Sequence, residues 1–342
     1  MVTLALATLI IVVVLLGPVF IEAIERNVEL FFLLIGVLTA CIMRQFDAAL
    51  VKAALTEPLS FTVAVLVFGA IFRLLRDYID QLLRRVIRLL DPRILCFCLA
   101  IVLGFLAAFI TPVVSAFVFV EAVSLLRCDR RAEVAGTVFA CFAIGFGAGL
   151  TPLGMPGIAI VLRSLHADFW YLIHLLGPFV VVGVPLAAVP ILFLPFASSE
   201  PLDATQEKDS WRTVLLIRPG KVYVFIVGLV ALSDGLRPVV NAYIHRLPEG
   251  LLFWMNTLSA VVNNSTLAAV EISPSLSINQ QRAALLGLLI SGGALVTGNI
   301  PNIVAASRLG ITSREWAKIG LGTGVLLLIL CFAVLRSMAF FQ

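Results

Sequence analysis

Long apolar runs separated by short polar or charged stretches make up almost the whole chain. Runs such as 3–21, 169–196 and 319–341 come close to or exceed the ~20 residues that a membrane-spanning helix needs. Runs this continuous predict α-helices, because membrane β-strands alternate polar and apolar positions over about ten residues. The pattern therefore predicts an all-α polytopic membrane protein.

Four polar clusters interrupt apolar runs instead of separating them. Proline, glycine and asparagine are poor helix-interior residues, and broken backbone inside a bilayer persists only where it is buried in protein or lines a wet cavity. We therefore interpret the clusters as a transport site. The alternative is that they are kinks whose polar side chains bond to helix carbonyls. The cluster residues are Thr111, Pro112 and Ser115; Thr151, Pro152 and Gly154; Asn263, Asn264, Ser265 and Thr266; and Thr297, Gly298, Asn299 and Asn302.

The clusters recur in the same order in two halves of the chain. Serine, glutamate and arginine recur at matching places, with Ser115, Glu121 and Arg163 corresponding to Ser265, Glu271 and Arg308. Internal repeats of this kind mark secondary transporters. We predict N-terminal scaffold spans (1–57), a first repeat (58–196) with a re-entrant hairpin (94–126) and a broken helix (134–165), a cytoplasmic linker (197–218), and a second repeat (219–342) with a hairpin (248–274) and a broken helix (283–309).

Inside the first repeat, the pattern predicts a loop over 44–57 and a span from Pro58 to Phe72, since proline suits the first turn of a helix. Arginines mixed with aspartates follow over 73–93, with apolar residues at helical spacing. This composition predicts an amphipathic helix that lies in the membrane interface. The hairpin arms after it hold about 15 residues each, short of the ~20 that a full span needs.

The charge distribution predicts the topology. If the hairpins do not cross and each broken helix crosses once, 17 of the 24 Lys and Arg residues lie on one side, which the positive-inside rule makes cytoplasmic. Eight crossings then place both termini outside. The first hairpin enters from the cytoplasm and the second from outside, so the two repeats have inverted topology.

Composition narrows the class of protein further. The chain is 61% hydrophobic and 13% charged, with a mean hydropathy of +1.10, which no soluble domain of 342 residues carries. Its six cysteines show no zinc or redox spacing, and its three histidines are not clustered. No Ser/His or His/Glu/Asp constellation appears in the spans. We expect neither an enzyme nor a cofactor, and no nucleic-acid partner.

The cluster residues resemble the ion transporter superfamily, which includes divalent anion/sodium symporters, arsenite permeases and sodium/proton antiporters. The closest resemblance is to an uncharacterised family of cation transporters, on the motif 264–269 with Glu271 and on the run 297–305. The resemblance implies a hairpin-based transport domain and a homodimer held together by the outer spans. Members of that family often carry an acid where this chain has Asn263 or Met155, so two carboxylates that a proton-coupled carrier would use are missing here.

The residue types at the breaks suit small ions. Backbone carbonyls with Asn, Ser and Thr oxygens coordinate sodium, and we predict a sodium site formed by Asn263, Ser265, Thr297 and Asn299. Thr111 and Ser115 with Thr151 and Gly154 would form its partner in the first repeat. Amide donors at the helix N-termini suit an anion instead.

Glu121 and Glu271 are candidate proton carriers, since ionisable residues in membrane segments default to a functional role; the alternative is a structural ion pair. We expect an inner-membrane sodium (or lithium)/proton antiporter that works by alternating access. The main alternative is a sodium-coupled symporter of a small carboxylate or inorganic anion. A channel or scaffold fits the composition but not the repeated breaks. The expected partners are membrane lipid, the transported small ion or molecule, and a second copy of the chain.

Overall fold

The computed structural model describes residues 2–21, 24, 27–87, 90–126, 128–151, 154–155, 162, 165, 167–196, 211–243, 248–257, 272 and 276–340. This part of the chain is helical and contains no β-strand. The α-helices are α1 (Val2–Phe20), α2 (Val28–Ile42), α3 (Ala48–Ile87), α4 (Pro92–Ile110), α5 (Pro112–Leu126), α6 (Arg130–Ala148), α7 (Tyr171–Ala188), α8 (Arg218–Tyr243), α9 (Glu249–Met255), α10 (Ile278–Ser291), α11 (Ile300–Leu309) and α12 (Ser313–Phe340).

Five of the described helical segments are long and apolar enough to cross a membrane, judged by length and composition. They correspond to α4, α6, α7 with the 3₁₀ turn Val189–Phe193, α8 and α12. Apolar helices too short for this criterion lie in α2 and α5. The chain is therefore a helical multi-pass membrane protein, as the hydrophobic pattern predicts.

The prediction for residues 44–93 is wrong in its division into elements. One helix of 40 residues, α3, replaces the predicted loop, span and interfacial helix. It begins ten residues before Pro58 because Asp47 caps it, with its carboxylate accepting a hydrogen bond of 2.7 Å from the Leu50 amide. Pro58 lies inside the helix, which membrane helices tolerate when their neighbours compensate for the lost amide donor.

Other boundaries also move. The predicted hairpin arm before Thr111 is α4, whose 19 residues make it long enough to cross, whereas α5 after it has 15. The predicted linker ends earlier, since a π-helical stretch (Thr213–Ile217) leads directly into α8. In the second half α10 begins at Ile278, before the predicted position, because Ser277 and Gln280 form a reciprocal capping box.

Two helix pairs cross closely through glycine. A Cβ on Gly147 of α6 would overlap the carbonyl oxygen of Gly104 in α4, and one on Gly36 of α2 would overlap that of Gly228 in α8. Only a residue without a side chain permits such an approach. The α4–α6 pair positions the breaks described below, and α2–α8 forms a second close pair.

Polar contacts join helix ends at two places. Arg130, at the start of α6, donates to the carbonyls of Leu309 and Gly310 at 2.9 and 2.8 Å and also pairs with Glu315. Tyr171, at the start of α7, donates to Gln281 near the start of α10 at 2.7 Å. The chain therefore enters α10 beside the start of α7 and leaves α11 beside the start of α6.

Candidate functional site

The broken helix of the second half is interrupted over eight residues, Gly292 to Asn299, between α10 and α11. The interruption starts five residues before the predicted 297–302 cluster, because two poor helix formers, Gly292 and Gly293, follow the last residue of α10. Pro301 and Asn302 lie in the first turn of α11, where proline is favoured, and not in the gap. Thr297 and Gly298 form a 3₁₀ turn with Val296, and all three are buried.

Side chains from the flanking helices hold this unwound segment in place. The Asn302 amide nitrogen donates to the carbonyls of Gly292 and Leu295 at 2.8 and 2.9 Å. The Trp316 indole donates to the carbonyl of Gly293 at 3.0 Å. Asn302 is fully buried, and its side-chain oxygen Oδ1 has no hydrogen-bond partner among the described residues. The segment is thus fixed in shape and presents an unused acceptor.

The first-half break at Thr111 is a sharp one-residue turn between α4 and α5. Thr111 has a φ of 97°, which is rare for a residue other than glycine, and its hydroxyl accepts from the Val114 amide at 3.4 Å. Pro112 is the first residue of α5. Ser115, one turn into α5, is fully buried, and its hydroxyl oxygen has no partner among the described residues. Ser115 therefore offers a second unused buried oxygen.

The other first-half break follows the end of α6 at Ala148. Thr151 is buried there and donates its hydroxyl to the carbonyl of Ala108 in α4, while the Gly154 amide donates back to it at 3.3 Å. A Cβ on Gly154 would lie 2.8 Å from the carbonyl oxygen of Ala107, so this position requires glycine. These contacts bring Thr151 and Gly154 close to the turn at Thr111. Pro152, predicted beside them, lies outside the described residues.

Helices α5 and α11, which follow the breaks at Thr111 and Asn299, run parallel. Val113 and Phe117 of α5 share a hydrophobic cluster with Ile300 and Val304 of α11. Further along both helices, the two carboxylate oxygens of Glu121 accept from the guanidinium of Arg308, one of them at 3.1 Å.

The same offset of 187 residues relates these α5 and α11 positions, and it also relates Ser115 to Asn302. Because both helices rise ~1.5 Å per residue, their N-termini lie at about the same level.

The breaks of the two halves meet against α6. The side-chain nitrogen Nδ2 of Asn299 would lie 3.3 Å from a Cβ built on Gly145 of α6. The ring of Phe142, also in α6, occupies the place that a Cβ on Gly293 would take. Asn299 is partly exposed, whereas Thr297 is 5% exposed. The unwound segment therefore packs on the last turns of the helix that ends at the other break.

Part of the predicted site lies outside the described residues: Asn263, Asn264, Ser265, Thr266 and Glu271. The predicted sodium set is consequently described only at Thr297 and Asn299. Among the described residues no cluster of three His, Cys, Asp or Glu side chains could hold a metal.

Two polar residues near the second break were not predicted. Asn256, just after α9, is buried, with its amide donating to the carbonyl of Ala284 at 3.1 Å and its Oδ1 without a partner in the described part of the chain. The Ser291 hydroxyl lies within hydrogen-bond distance of two carbonyls, that of Gly287 in its own helix at 2.6 Å and that of Asn256 at 2.7 Å. In the sequence, these two positions are marked only by a single Asn and a single Ser inside otherwise apolar stretches, which is a weak indication of a site.

Comparisons with known proteins add one finding. The profile of the family described as "Protein of unknown function (DUF1646)" matches residues 4–338, nearly the whole chain. No curated protein matches it.

Proposed function

The chain belongs to the DUF1646 family, and from that premise we propose that it is a secondary active transporter that carries sodium (or lithium) by alternating access. The observation that carries the proposal is the pair of buried oxygens, Ser115 Oγ and Asn302 Oδ1, that lack partners among the described residues. They lie at matching levels on adjacent helices, each about one turn after a break. Each is two residues from the positions that face the other helix, so the two oxygens mark one position in each half and not one shared site. A buried acceptor without a partner costs ~1–3 kcal/mol, and a bound cation removes this cost.

The contacts within each half support the proposed repeat. In the first half, the Thr151 hydroxyl after the end of α6 donates to the Ala108 carbonyl of α4. In the second half, the Ser291 hydroxyl at the end of α10 contacts the Asn256 carbonyl after α9, as well as the Gly287 carbonyl of its own helix. A carbonyl also approaches a glycine of the broken helix in both halves, since a Cβ on Gly287 would lie 2.5 Å from the oxygen of Phe253. These matching contacts favour two related units, in each of which the first arm of the proposed hairpin (α4 or α9) packs on the broken helix.

The contacts between helix ends support the proposed topology. The predicted topology puts the end of the first hairpin, beside Arg130, and the end of the second broken helix, beside Gly310, on the cytoplasmic side, and these two residues are in contact. It puts the start of the span 169–196, with Tyr171, and the stretch before the second broken helix, with Gln281, on the outer side, and these two are also in contact. The arrangement is compatible with a first hairpin that enters from the cytoplasm and with repeats of inverted topology.

Proton exchange is our first proposal for the coupling. Of the two predicted proton carriers, Glu121 is the one that lies among the described residues. Both of its carboxylate oxygens accept hydrogen bonds from Arg308. In this proposal Glu121 carries the proton, and its release from Arg308 requires α5 and α11 to change their relative position. Such a link between proton binding and a helix movement is what an antiporter needs.

Sodium-coupled uptake of a small anion is the second candidate, and one observation favours it. The N-termini of α5 and α11 lie side by side, and each carries about half a positive charge from its aligned peptide dipoles. Two such ends attract a carboxylate or an inorganic anion. In this case the Glu121–Arg308 pair has only a structural role.

Transport in proteoliposomes tests both candidates. The purified protein is reconstituted with a pH dye inside, and inward and outward sodium gradients are imposed, with potassium as the control cation. We expect sodium and lithium to drive proton movement and potassium not to. Glu121→Gln should reduce this exchange at least tenfold, and Glu133→Gln, at the start of α6, is the control carboxylate.

The outcomes separate the candidates. Sodium-driven uptake of a labelled anion without proton movement, retained in Glu121→Gln, would replace antiport with symport. Failure of sodium to move either protons or anions would contradict the proposed function. The homodimer implied by the superfamily resemblance is a separate proposal, which cross-linking in native membranes tests.

A further inference from the structure

A cavity of about 400 Å³ lies between α11 and the first turns of α8. Ile303, Ala306, Ser307 and Gly310 line it at the helical spacing of one face, whereas Ile300, Val304 and Arg308 face α5. Its inner end includes Val296, next to Thr297 in the unwound segment. The cavity therefore extends along α11 from the break to the end of the helix, over ~10 Å between Ile303 and Gly310.

The opposite wall comes from α2, α8 and the π-helical stretch before α8. Glu29 and Lys221 lie on this wall and form an ion pair of 2.8 Å. The Lys221 side chain is 49% exposed and the Glu29 side chain 18%, so the lysine is the more accessible to solvent and the carboxylate the more enclosed. The close crossing at Gly36 and Gly228 holds the two helices that carry the pair.

The electrostatics of the cavity favour a cation once the lysine moves away. Lysine has a long flexible stem, and an exposed ammonium is readily hydrated, so it separates from its partner at little cost. The carboxylate of Glu29 then remains in the cavity without its partner. The C-terminal end of α11 adds little negative charge, because the guanidinium of Arg130 already binds the Leu309 and Gly310 carbonyls there.

We propose that this cavity is the aqueous access path for a small hydrated cation between the membrane surface and the unwound segment, and that the Glu29–Lys221 pair gates it. In the closed state Lys221 neutralises Glu29. An arriving cation replaces the ammonium at the carboxylate and passes along the face of α11 to Val296. This inference rests on the proposed cation transport, but access to the cavity is measured without transport.

Charge-selective modification of a cysteine in the cavity tests the inference. Ser307→Cys is made in a variant whose six native cysteines are replaced, and it is treated with cationic and anionic membrane-impermeant thiosulfonates of similar size. Each rate is divided by the rate of the same reagent with a free thiol. We expect the cationic reagent to react at least fivefold faster than the anionic one, and Val304→Cys, on the other face, not to react.

The proposed gate predicts how the modification rate of Ser307→Cys changes when either member of the ion pair is replaced. Lys221→Gln should increase the normalised cationic rate at least threefold, and Glu29→Gln should remove the preference for the cationic reagent. If Ser307→Cys does not fold, Thr213→Cys on the opposite wall serves as the second position. Equal rates for the two reagents, or no reaction at either position, would overturn the inference.

Different experimental results would contradict the proposed access path and the proposed function. A charge-selective, gated reaction in a protein that transports no sodium would leave the access path intact and contradict the function. Sodium transport that continues at full rate after complete modification of Ser307→Cys would show that the cation uses another path.

Discussion

At the scale of single residues, the breaks combine satisfied and unsatisfied polar atoms. Thr151 and the amide nitrogen of Asn302 are hydrogen-bonded to backbone carbonyls and fix the local shape. Ser115 Oγ and Asn302 Oδ1 are buried without partners among the described residues. Buried polar atoms in native proteins are almost always paired. In the proposed function, the exceptions at the breaks are the places where an ion binds.

Ser115→Ala should separate binding from stability. Removing a hydroxyl that has no partner leaves the melting temperature unchanged or slightly higher, because the ~1–3 kcal/mol cost of the unsatisfied group disappears. The same change should raise the sodium concentration for half-maximal transport about tenfold, equivalent to ~1.4 kcal/mol. Ser124→Ala is the control on the same helix, since that hydroxyl donates to the carbonyl of Val120 at 2.8 Å. An unchanged sodium dependence in Ser115→Ala would exclude this oxygen from the site.

Substitutions in the Glu121–Arg308 pair should destabilise the protein, unlike Ser115→Ala. The two side chains are 10% and 15% exposed, and removal of one partner leaves a buried charge. Glu121→Gln and Arg308→Gln should each lower the free energy of unfolding in detergent by ~3–5 kcal/mol. The double variant should lose clearly less than the sum of the two, because neither charge is left alone. Additive losses would mean that the two side chains do not interact in the membrane protein.

At the scale of elements, helix breaks were predictable and helix lengths were not. The interruptions after Ile110, Ala148 and Ser291 follow from local clusters of Thr, Pro, Gly and Asn, which disfavour helix wherever they occur. Helix α3 was divided wrongly because Pro58 alone does not end a helix whose neighbours compensate. The contact between Glu121 and Arg308 joins positions 187 residues apart, and no local pattern indicates it.

Gly147→Ala should disrupt the packing of α4 on α6. Alanine is the better helix former by ~1 kcal/mol, but its Cβ would overlap the carbonyl oxygen of Gly104 and force the helices apart. We expect a net loss of ~1–3 kcal/mol, as for other overpacked sites, together with loss of transport. Gly322→Ala in α12 is the matched control, since nothing lies within 4 Å of its Cβ, and it should be neutral or slightly stabilising. Equal melting temperatures for the two variants would contradict the close crossing.

At the scale of the whole molecule, the proposed mechanism depends on which helix ends share a side of the membrane. Single cysteines replace Arg93, in the first turn of α4, and Arg131, in the first turn of α6 after α5. Two more replace Asp168 and Ile278, near the Tyr171–Gln281 contact. In a background without native cysteines, an impermeant maleimide should label the first two from the cytoplasm and the last two from outside. Labelling of Arg93→Cys and Arg131→Cys from opposite sides would mean that the segment crosses once, and the repeats would not be inverted.

The depth of the turn at Thr111 needs its own measurement, since α4 is long enough to cross and two crossing helices would also return to the cytoplasmic side. Phe109 is 56% exposed beside this turn. If α4 and α5 form a re-entrant hairpin, Phe109→Cys faces lipid at mid-depth and resists an impermeant maleimide from both sides. If both helices cross, it lies at the outer surface and is labelled there as fast as Asp168→Cys. Only the first result leaves the breaks of both halves at a depth where one bound ion can be reached alternately from each side.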